Sequence, residues 1–574
     1  MIAKNNLLIK TEITATVSST EPQREIWSSS LMGTEASCAF NQSISIFLKG
    51  DVDINLFHQA ISILVSRHEA LRMSFDDKGI QIFIHKQIPI AIPFIDISKD
   101  KEHAEALIDK ILSDEMTTPF NLTKCPIWRF KIIKTGNNLH TILLTLHHII
   151  CDGWSLNVIK NDLRFIYGEL KNNHNVSIDA ISKFSDYADT VASQINTKKY
   201  IDDEAFWTAQ FSSGSPALEL PYNFPRPPIR SYNASCINRT IDVKLISQLK
   251  KLSYSTGNSL FSVLFAAYCV LIRKLSGNGI VVIGIPVAGQ PLFDQDKLIG
   301  HCVNFLPIKQ DVNLNLPFDN FLESVSDSLF NAQDHGLFTL GSILKKLKLV
   351  RDPGRIPLVS LCFNYNSLSD KEQEPFYDLE TSYFYNTKKY ETFELNANFT
   401  YTATSEKLDL QFYFNTNLFS SATIERFYSY YVSILTSIVE NPSYIVGKIP
   451  LMSQNERHKI ISDWNDTTTD LPYNTTLDKL FKEQVVRTPN AMAVIFENES
   501  LSYNELDIWS NSIAESLINN GVTTGALVAI CAERSLEMVA GLWGILKAGS
   551  AYIPIDPDYP SARIEYIIKD SQTP

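Results

Sequence analysis

The stretch Leu139-His140-Thr141-Ile142-Leu143-Leu144-Thr145-Leu146-His147-His148-Ile149-Ile150-Cys151-Asp152-Gly153-Trp154 decides the fold. Residues 139–146 are Leu, Ile and Thr with one His among them, and such a run reads as a buried strand. Asp152-Gly153 is a turn signal. From Ser155 onward, Leu156, Ile159, Leu163, Ile166 and Leu170 recur at helical spacing, which predicts an amphipathic helix. The pattern is strand, two histidines, tight turn, helix.

Neighbouring residues on a strand point to opposite faces, so only one of His147 and His148 can face a given cleft. A bare pair of this kind is most simply one packed and one solvated histidine. Here Asp152 and Gly153 follow, and they add chemistry. The second imidazole can hold a free ring nitrogen toward a reacting group. The carboxylate can anchor the loop or pair with a buried cation. The glycine permits a left-handed turn or a close approach of backbone to substrate. This segment resembles the HHxxxDG signature of nonribosomal peptide synthetase condensation domains. Other acyltransferases of that superfamily, including the chloramphenicol acetyltransferase type, carry a shorter HxxxD form.

Further segments resemble the same family in order. Thr20-Glu21-Pro22-Gln23-Arg24-Glu25-Ile26-Trp27 is similar to its opening SxAQxRLW motif, with Thr20 and Pro22 as departures, and reads as a short capped helix. Residues 56–71 carry a helical apolar stripe and end in Arg67-His68-Glu69-Ala70-Leu71-Arg72-Met73-Ser74-Phe75, which matches RHExLRxxF at every fixed position. Phe184-Ser185-Asp186-Tyr187-Ala188 resembles YxDFA and marks a crossing between lobes. Phe206-Trp207 reads as a pair of core aromatics. Prolines 221, 225, 227 and 228 mark an extended surface loop. A strong helix within 250–274, capped by Asn258 or Ser259, and a buried strand at 281–286 restart the architecture. Ile299-Gly300-His301-Cys302-Val303-Asn304-Phe305-Leu306-Pro307 resembles IGxFVNxLPLR, with His301-Cys302 in place of the usual aromatic pair. Arg351-Asp352-Pro353-Gly354-Arg355-Ile356-Pro357-Leu358 resembles RDxSRxPL, with Gly354 where Ser is usual. After Gln333-Asp334 the expected Val-Pro-Phe-Glu is missing. Together with His301-Cys302, this is similar to condensation domains that follow polyketide-type modules.

The resemblance implies an α/β fold of two chloramphenicol acetyltransferase-like lobes, a V-shaped pseudo-dimer around a channel. The expected division is a tail at 1–19, an N-lobe at 20–185, a C-lobe at 186–452 and a linker at 453–473. Beyond it, Leu501-Ser502-Tyr503-Asn504-Glu505-Leu506 and Leu546-Lys547-Ala548-Gly549-Ser550-Ala551-Tyr552-Ile553-Pro554-Ile555-Asp556 resemble the first two adenylation-domain motifs. Residues 474–574 are therefore expected to be a partial α/β adenylation segment, without the later phosphate loop and catalytic Lys. Gly544, Lys547 and Gly549 are expected to be helix-end and turn residues there, and adenylation activity is not expected.

Composition is that of an ordinary soluble globular protein. A length of 574 residues suggests roughly three or four units of about 150 residues. A net charge of −12 argues against a nucleic-acid partner. The eight cysteines show no CxxC or Cys/His ligand spacing, so no metal is expected, and they fit a reducing cytoplasm. The apolar run at 260–272 is shorter than the about 20 residues that span a bilayer, so no membrane partner is expected. There is no signal-peptide pattern.

The implied reaction is amide formation. An aminoacyl amine on a downstream carrier protein attacks the thioester of an upstream carrier-bound donor, both tethered by 4'-phosphopantetheine arms. The rest of an adenylation domain is a further expected partner. By the resemblance His148 accepts a proton from the amine or positions it, and His147 packs inward. Asp152 is expected to be structural, paired with Arg67 or Arg273, and Gly153 to offer its N–H near the oxyanion. Trp154 and Arg355 would support the site, and Asn304, Ser155 and His301 would border the channel. The rivals are a CoA-dependent acyltransferase of the same fold, an epimerisation domain, and a non-catalytic platform recruiting a carrier or tailoring enzyme.

Overall fold

The computed structural model describes residues 12–99, 103–176, 181–212, 214, 217–347, 352–368, 374–471 and 473–573. Contacts divide it into two compact units, 1–460 and 461–574.

The first unit holds two large sheets, each with its own core, and a small three-stranded sheet of Ile13–Ser18, Gln81–His85 and Met73–Phe75. In the first, five strands lie in the order Glu380–Tyr385, Asn41–Lys49, Leu139–His147, Trp128–Gly136 and Phe94–Asp96. The predicted strand is thus central and paired on both sides, which is why residues 140–147 are all buried. Its predicted helix spans Gly153–Lys171 and buries Leu156, Ile159, Leu163 and Ile166. The second sheet has six strands, Val303–Asp311, Ile280–Ala288, Leu361–Leu368, Leu395–Thr402, Lys407–Asn415 and Ala234–Ile241. Against it lies Leu260–Ser276, the apolar run of the sequence, with Val263 through Ile272 fully buried. Of the two candidate caps, Ser259 accepts from the Ser262 N–H. Trp207 is buried with its indole donating to the His335 carbonyl at 2.8 Å. Among the described residues no single helix is long and apolar enough to cross a membrane.

Several expectations are corrected. Residues 13–18 of the expected tail are part of the fold. They form the strand Ile13–Ser18, paired antiparallel with Gln81–His85, because Ile13, Ala15 and Val17 alternate with polar residues. Residues 1–11 lie outside the described residues, as does Arg351. The helix expected over 56–71 runs from Ile54 to Arg67 and breaks at His68, where the chain turns extended. Glu69–Arg72 is a separate 3-10 turn, and Arg72 Nε returns to the Val65 carbonyl at 3.1 Å. The boundary placed at 185/186 falls inside the helix Phe184–Gln194. Phe184, Tyr187 and Ala188 belong to the first core, with Leu298, Ile299, Cys302, Phe376 and Leu379. The first lobe therefore borrows residues, and the strand Glu380–Tyr385, from the second half of the chain. The expected linker opens with a helix, Gln454–Ile461.

In the second unit, the helix Leu536–Lys547 joins two parallel strands, Leu527–Cys531 and Ala551–Ile555. Ser502 and Glu505 form a reciprocal capping box on Tyr503–Asn519. Lys547 Nζ is held by Asp507 Oδ1 at 2.6 Å, Ser510 Oγ at 2.7 Å and Asn511 Oδ1 at 2.9 Å. A Cβ at Gly544 would lie 2.4 Å from the Ile513 side chain, so this glycine serves helix–helix approach.

The opening helix Glu21–Ser30 meets Leu340–Lys346 of the other lobe. Glu25 Oε1 accepts from the Gly341 N–H at 2.7 Å, and Glu21 pairs with Lys345. Burial pushes the Glu25 carboxyl up to about 7 from an ordinary 4.5. The folded chain keeps a proton that the unfolded chain releases, so stability falls as pH rises from about 4.5 to about 7 and then levels. Glu25→Gln cannot release that proton. We expect its melting temperature to gain on the wild type across this window and to keep the gain above it. Parallel melting curves that never diverge would contradict the assignment.

Candidate active site

The site is built where the central strand ends. The His147 N–H donates to the Ile127 carbonyl at 3.3 Å and the His148 N–H to the Phe40 carbonyl at 2.8 Å, so both neighbouring segments hold the pair. The chain then turns, the Ile150 N–H donating to the His147 carbonyl at 3.1 Å, and Asp152 caps the helix. Strand alternation separates the two rings as expected. His147 is fully buried beside Phe40 and Phe120, and its Nδ1 accepts from the Ile149 N–H at 3.3 Å. Burial, then the neighbouring His148, bring its pKa down to about 3, so it stays neutral. His148 is half-buried and lines a cavity of about 630 Å³. The walls of this cavity come from both lobes, with Phe40 and Ser43 on one side and Asn304 and Tyr365 on the other.

Asp152 has no exposed surface, and among the described residues no arginine pairs with it. Its Oδ1 accepts from the Ser155 N–H at 2.8 Å and lies 2.7 Å from the Ser155 hydroxyl. Its Oδ2 accepts from Gln290 Nε2 at 2.8 Å and the Cys302 N–H at 3.1 Å. The amide end of a helix also favours a negative charge there. Neutral donors thus replace the expected cation. Arg67 is directed instead at Asp162, at 3.4 Å, where His68 also lies at 2.7 Å. Arg273 leaves its Nε buried without a hydrogen-bond partner. Ser155 is likewise not a channel residue. It is fully buried, and its hydroxyl lies 2.8 Å from the Gly300 carbonyl and accepts from the Gly300 N–H at 3.0 Å.

The other expected residues divide. Gly153 lines the cavity as the first residue of the helix. Its N–H has no acceptor within the helix, and a Cβ there would meet nothing within 4 Å. Asn304 lines the cavity, with its amide donating to the Gly336 carbonyl at 2.6 Å. Trp154 lines it too, and its indole donates across the seam to the Asp296 carbonyl at 2.9 Å. His301 is 6% exposed, and its Nδ1 lies 3.1 Å from Nδ1 of His148. Arg355 braces a loop, bound to Glu219, to Asp352 at 3.1 Å and to the Leu218 carbonyl at 3.1 Å. It does not contact His148.

Burial, then the charge of Lys388, hold the His148 imidazole below its ordinary range, with Asp152 opposing them. At neutral pH His148 is therefore an uncharged ring that can accept a proton. Sequence reasoning missed Lys388, which lines the cavity, and the amide wall opposite. In that wall Asn364 donates to Asn398 at 2.8 Å, and Asn398 donates to Gln411 at 3.0 Å. The signal was present. Phe363, Phe399 and Phe412 are core residues, and the amides alternate with them on the opposite face.

Comparison with known proteins gives consistent matches. The family model described as "Condensation domain" matches residues 13–461, and that described as "AMP-binding enzyme" matches 481–573. Tyrocidine synthase 3 of Brevibacillus parabrevis is 32% identical over 539 residues, covering 93% of this chain and 8% of its own. Gramicidin S synthase 2 of Aneurinibacillus migulanus is 32% identical over 543 residues, covering 93% and 12%. The chain thus spans about a tenth of these relatives. Among solved structures, a four-domain nonribosomal peptide synthetase bound to AMP and glycine superimposes with a TM-score of 0.87 at 22% identity, over 99% of this chain and 44% of that one. The first condensation domain of the calcium-dependent antibiotic synthetase gives 0.66 at 18%, over 77% and 100%.

The Asp152 shell yields a prediction on stability. Removing the carboxylate strands several buried donors, and hydrogen bonds to a charged group are each worth about 1.5–3 kcal/mol. Asp152→Ala should lose about 2–4 kcal/mol of stability in a urea or thermal unfolding experiment. Asp152→Asn should lose less, because Oδ1 survives and the Gln290 amide can turn its oxygen toward the new NH2, which leaves the Cys302 N–H as the stranded donor. An alanine variant that melts with the wild type would show that the shell is not stabilising.

Proposed function

The chain belongs to the condensation-domain family of nonribosomal peptide synthetases, with the opening part of an AMP-binding domain behind it, and from this we propose that it forms amide bonds between two carrier-bound substrates. The observation that carries the reading is His148, an uncharged imidazole on the wall of a 630 Å³ cavity bordered by both lobes. The donor is an acyl or peptidyl thioester on the 4'-phosphopantetheine arm of an upstream carrier. The acceptor is an aminoacyl group on the arm of a downstream carrier. The two arms enter from opposite sides, and the rest of the adenylation domain is a partner in the whole synthetase. Eight free thiols fit a cytoplasmic setting.

The acceptor nitrogen attacks the thioester carbonyl carbon. The C–N bond forms, the C–S bond breaks, and the donor arm leaves as a thiol. His148 takes the proton that the nitrogen sheds and returns it to the departing sulfur. The Gly153 N–H, the first amide of its helix, is placed to donate to the carbonyl oxygen as charge builds on it. Holding amine and carbonyl in attack geometry supplies the larger part of the acceleration, up to roughly 7–11 kcal/mol in the best intramolecular cases. A reference α-amine pKa of about 7.7–8.0 leaves a useful neutral fraction, so no strong base is needed. His147, Asp152, Ser155 and Trp154 hold the turn that carries His148. Asn304 and His301 border the space the substrates occupy.

The test is intact-mass analysis of the two loaded carriers after mixing with the chain. The donor acyl mass should move to the acceptor carrier, and His148→Ala should slow this by about 10²–10⁴-fold. His147→Ala should lower the melting temperature while the folded fraction retains more activity than His148→Ala. Turnover of acyl-CoA but not of carrier-bound donor would place the chain among CoA-dependent acyltransferases instead. Equal rates for wild type and His148→Ala would remove the proposed role of the imidazole.

A further inference from the structure

The two Nδ1 atoms of His148 and His301 lie 3.1 Å apart, with ring centroids 4.9 Å apart and the planes nearly perpendicular. A neutral imidazole carries one N–H and one lone pair. A hydrogen bond between two Nδ1 atoms therefore requires one to be protonated and the other bare. Whichever ring donates is left with a bare Nε2. The choice decides whether His148 presents a lone pair or an N–H to the cavity.

Asp152 cannot make that choice directly. Its two oxygens are occupied by Ser155, Gln290 and the Cys302 N–H. It acts one step away. The residues on either side of His301 are those bound from across the seam, Gly300 by Ser155 and Cys302 by Asp152. The approach is also close at Gly300, where a Cβ would lie 2.3 Å from the Phe184 ring. The His301 backbone is thus clamped on both sides, and its ring is held against His148.

The direction of the hydrogen bond follows from the role proposed for His148. To take a proton from the acceptor nitrogen its Nε2 must be bare, so the proton of the neutral ring sits on Nδ1, 3.1 Å from Nδ1 of His301. We propose that His301 is a positioning residue that accepts the Nδ1–H of His148 and so leaves the Nε2 lone pair of His148 free for the cavity. A buried neutral partner fits the task. It orients the ring and fixes its tautomer without adding a negative charge. Burial, then the neighbouring His148, hold His301 well below its ordinary pKa, so it remains an acceptor at neutral pH.

This inference rests on the role of His148 proposed above, and the two can fail separately. The experiment is a long-range proton–nitrogen correlation spectrum of the full chain labelled at its histidine rings, without carriers. His148→Ala and His301→Phe spectra assign the two signals. In the wild type, His148 should carry its proton on Nδ1 and His301 on Nε2. In His301→Phe, His148 should shift toward the Nε2–H form. The kcat of carrier-to-carrier transfer should fall about tenfold with KM within about twofold. His301→Gln, whose amide oxygen can accept the same N–H, should recover most of the loss. A wild-type His148 protonated on Nε2, or an unchanged His148 tautomer in His301→Phe, overturns the inference. If His301→Phe does not fold, the wild-type spectrum decides alone. These spectra are indifferent to whether the chain condenses carrier-bound substrates, which is tested by His148→Ala.

Discussion

The arrangement depends on one buried carboxylate. Asp152 lies at a helix start in the first lobe, yet half of its hydrogen-bond donors come from residues 290 and 302 of the other half of the chain. A carboxylate that is fully desolvated must be saturated by donors, and each donor left without it would itself be buried and unsatisfied. The contact is therefore all-or-none. When the Ile299–Cys302 segment docks, the carboxylate is satisfied, the Ser155 hydroxyl engages Gly300, and His301 meets His148. Docking of the seam and the placing of His301 against His148 thus rest on the same contacts.

This explains why neutral donors suit the position better than the arginine the sequence suggested. A guanidinium needs volume and its own hydrogen-bond partners, and a buried ion pair gains little over well-packed alternatives. Two backbone amides, a hydroxyl and a carboxamide are compact and directional. They also keep positive charge away from His148, where it would further oppose protonation. Lys388 already depresses that ring from the cavity side. Glu25 shows the same economy at another point of the seam, where a carboxyl takes an amide N–H of Gly341 and keeps its proton to about pH 7.

Much of this was legible because it is local. The strand Leu139–His147, the turn and the helix Gly153–Lys171 follow from apolar spacing, and the burial of His147 against the exposure of His148 to the cavity follows from strand alternation. Ser259 is recognisable as a cap, and Ser502 with Glu505 as a capping box. What stayed hidden is long-range. Nothing within one segment shows that Gln290 and Cys302 face Asp152 across 138 and 150 residues. Nothing shows that Glu380–Tyr385 pairs with Asn41–Lys49. Ile13–Ser18 is a different kind of miss, because its alternation was visible and its polar, Lys/Thr/Ser-rich surroundings masked it.

A lowered pKa looks like a poor property for a base, since each unit below the amine costs about 1.4 kcal/mol for full proton transfer before reaction. Timing removes the difficulty in the proposed reaction. While the acceptor is a free amine, it holds no proton that must be removed for attack. Only as the C–N bond forms does the nitrogen become cationic, and its N–H then becomes far more acidic than the starting ammonium. A ring that is neutral and already oriented accepts that proton at once. A more basic imidazole would spend part of its time protonated near neutral pH, and in that form it could not accept. The burial that weakens His148 as a base thus keeps it in its working form, and orientation, set by the Asp152 shell and His301, becomes the quantity that the fold must supply.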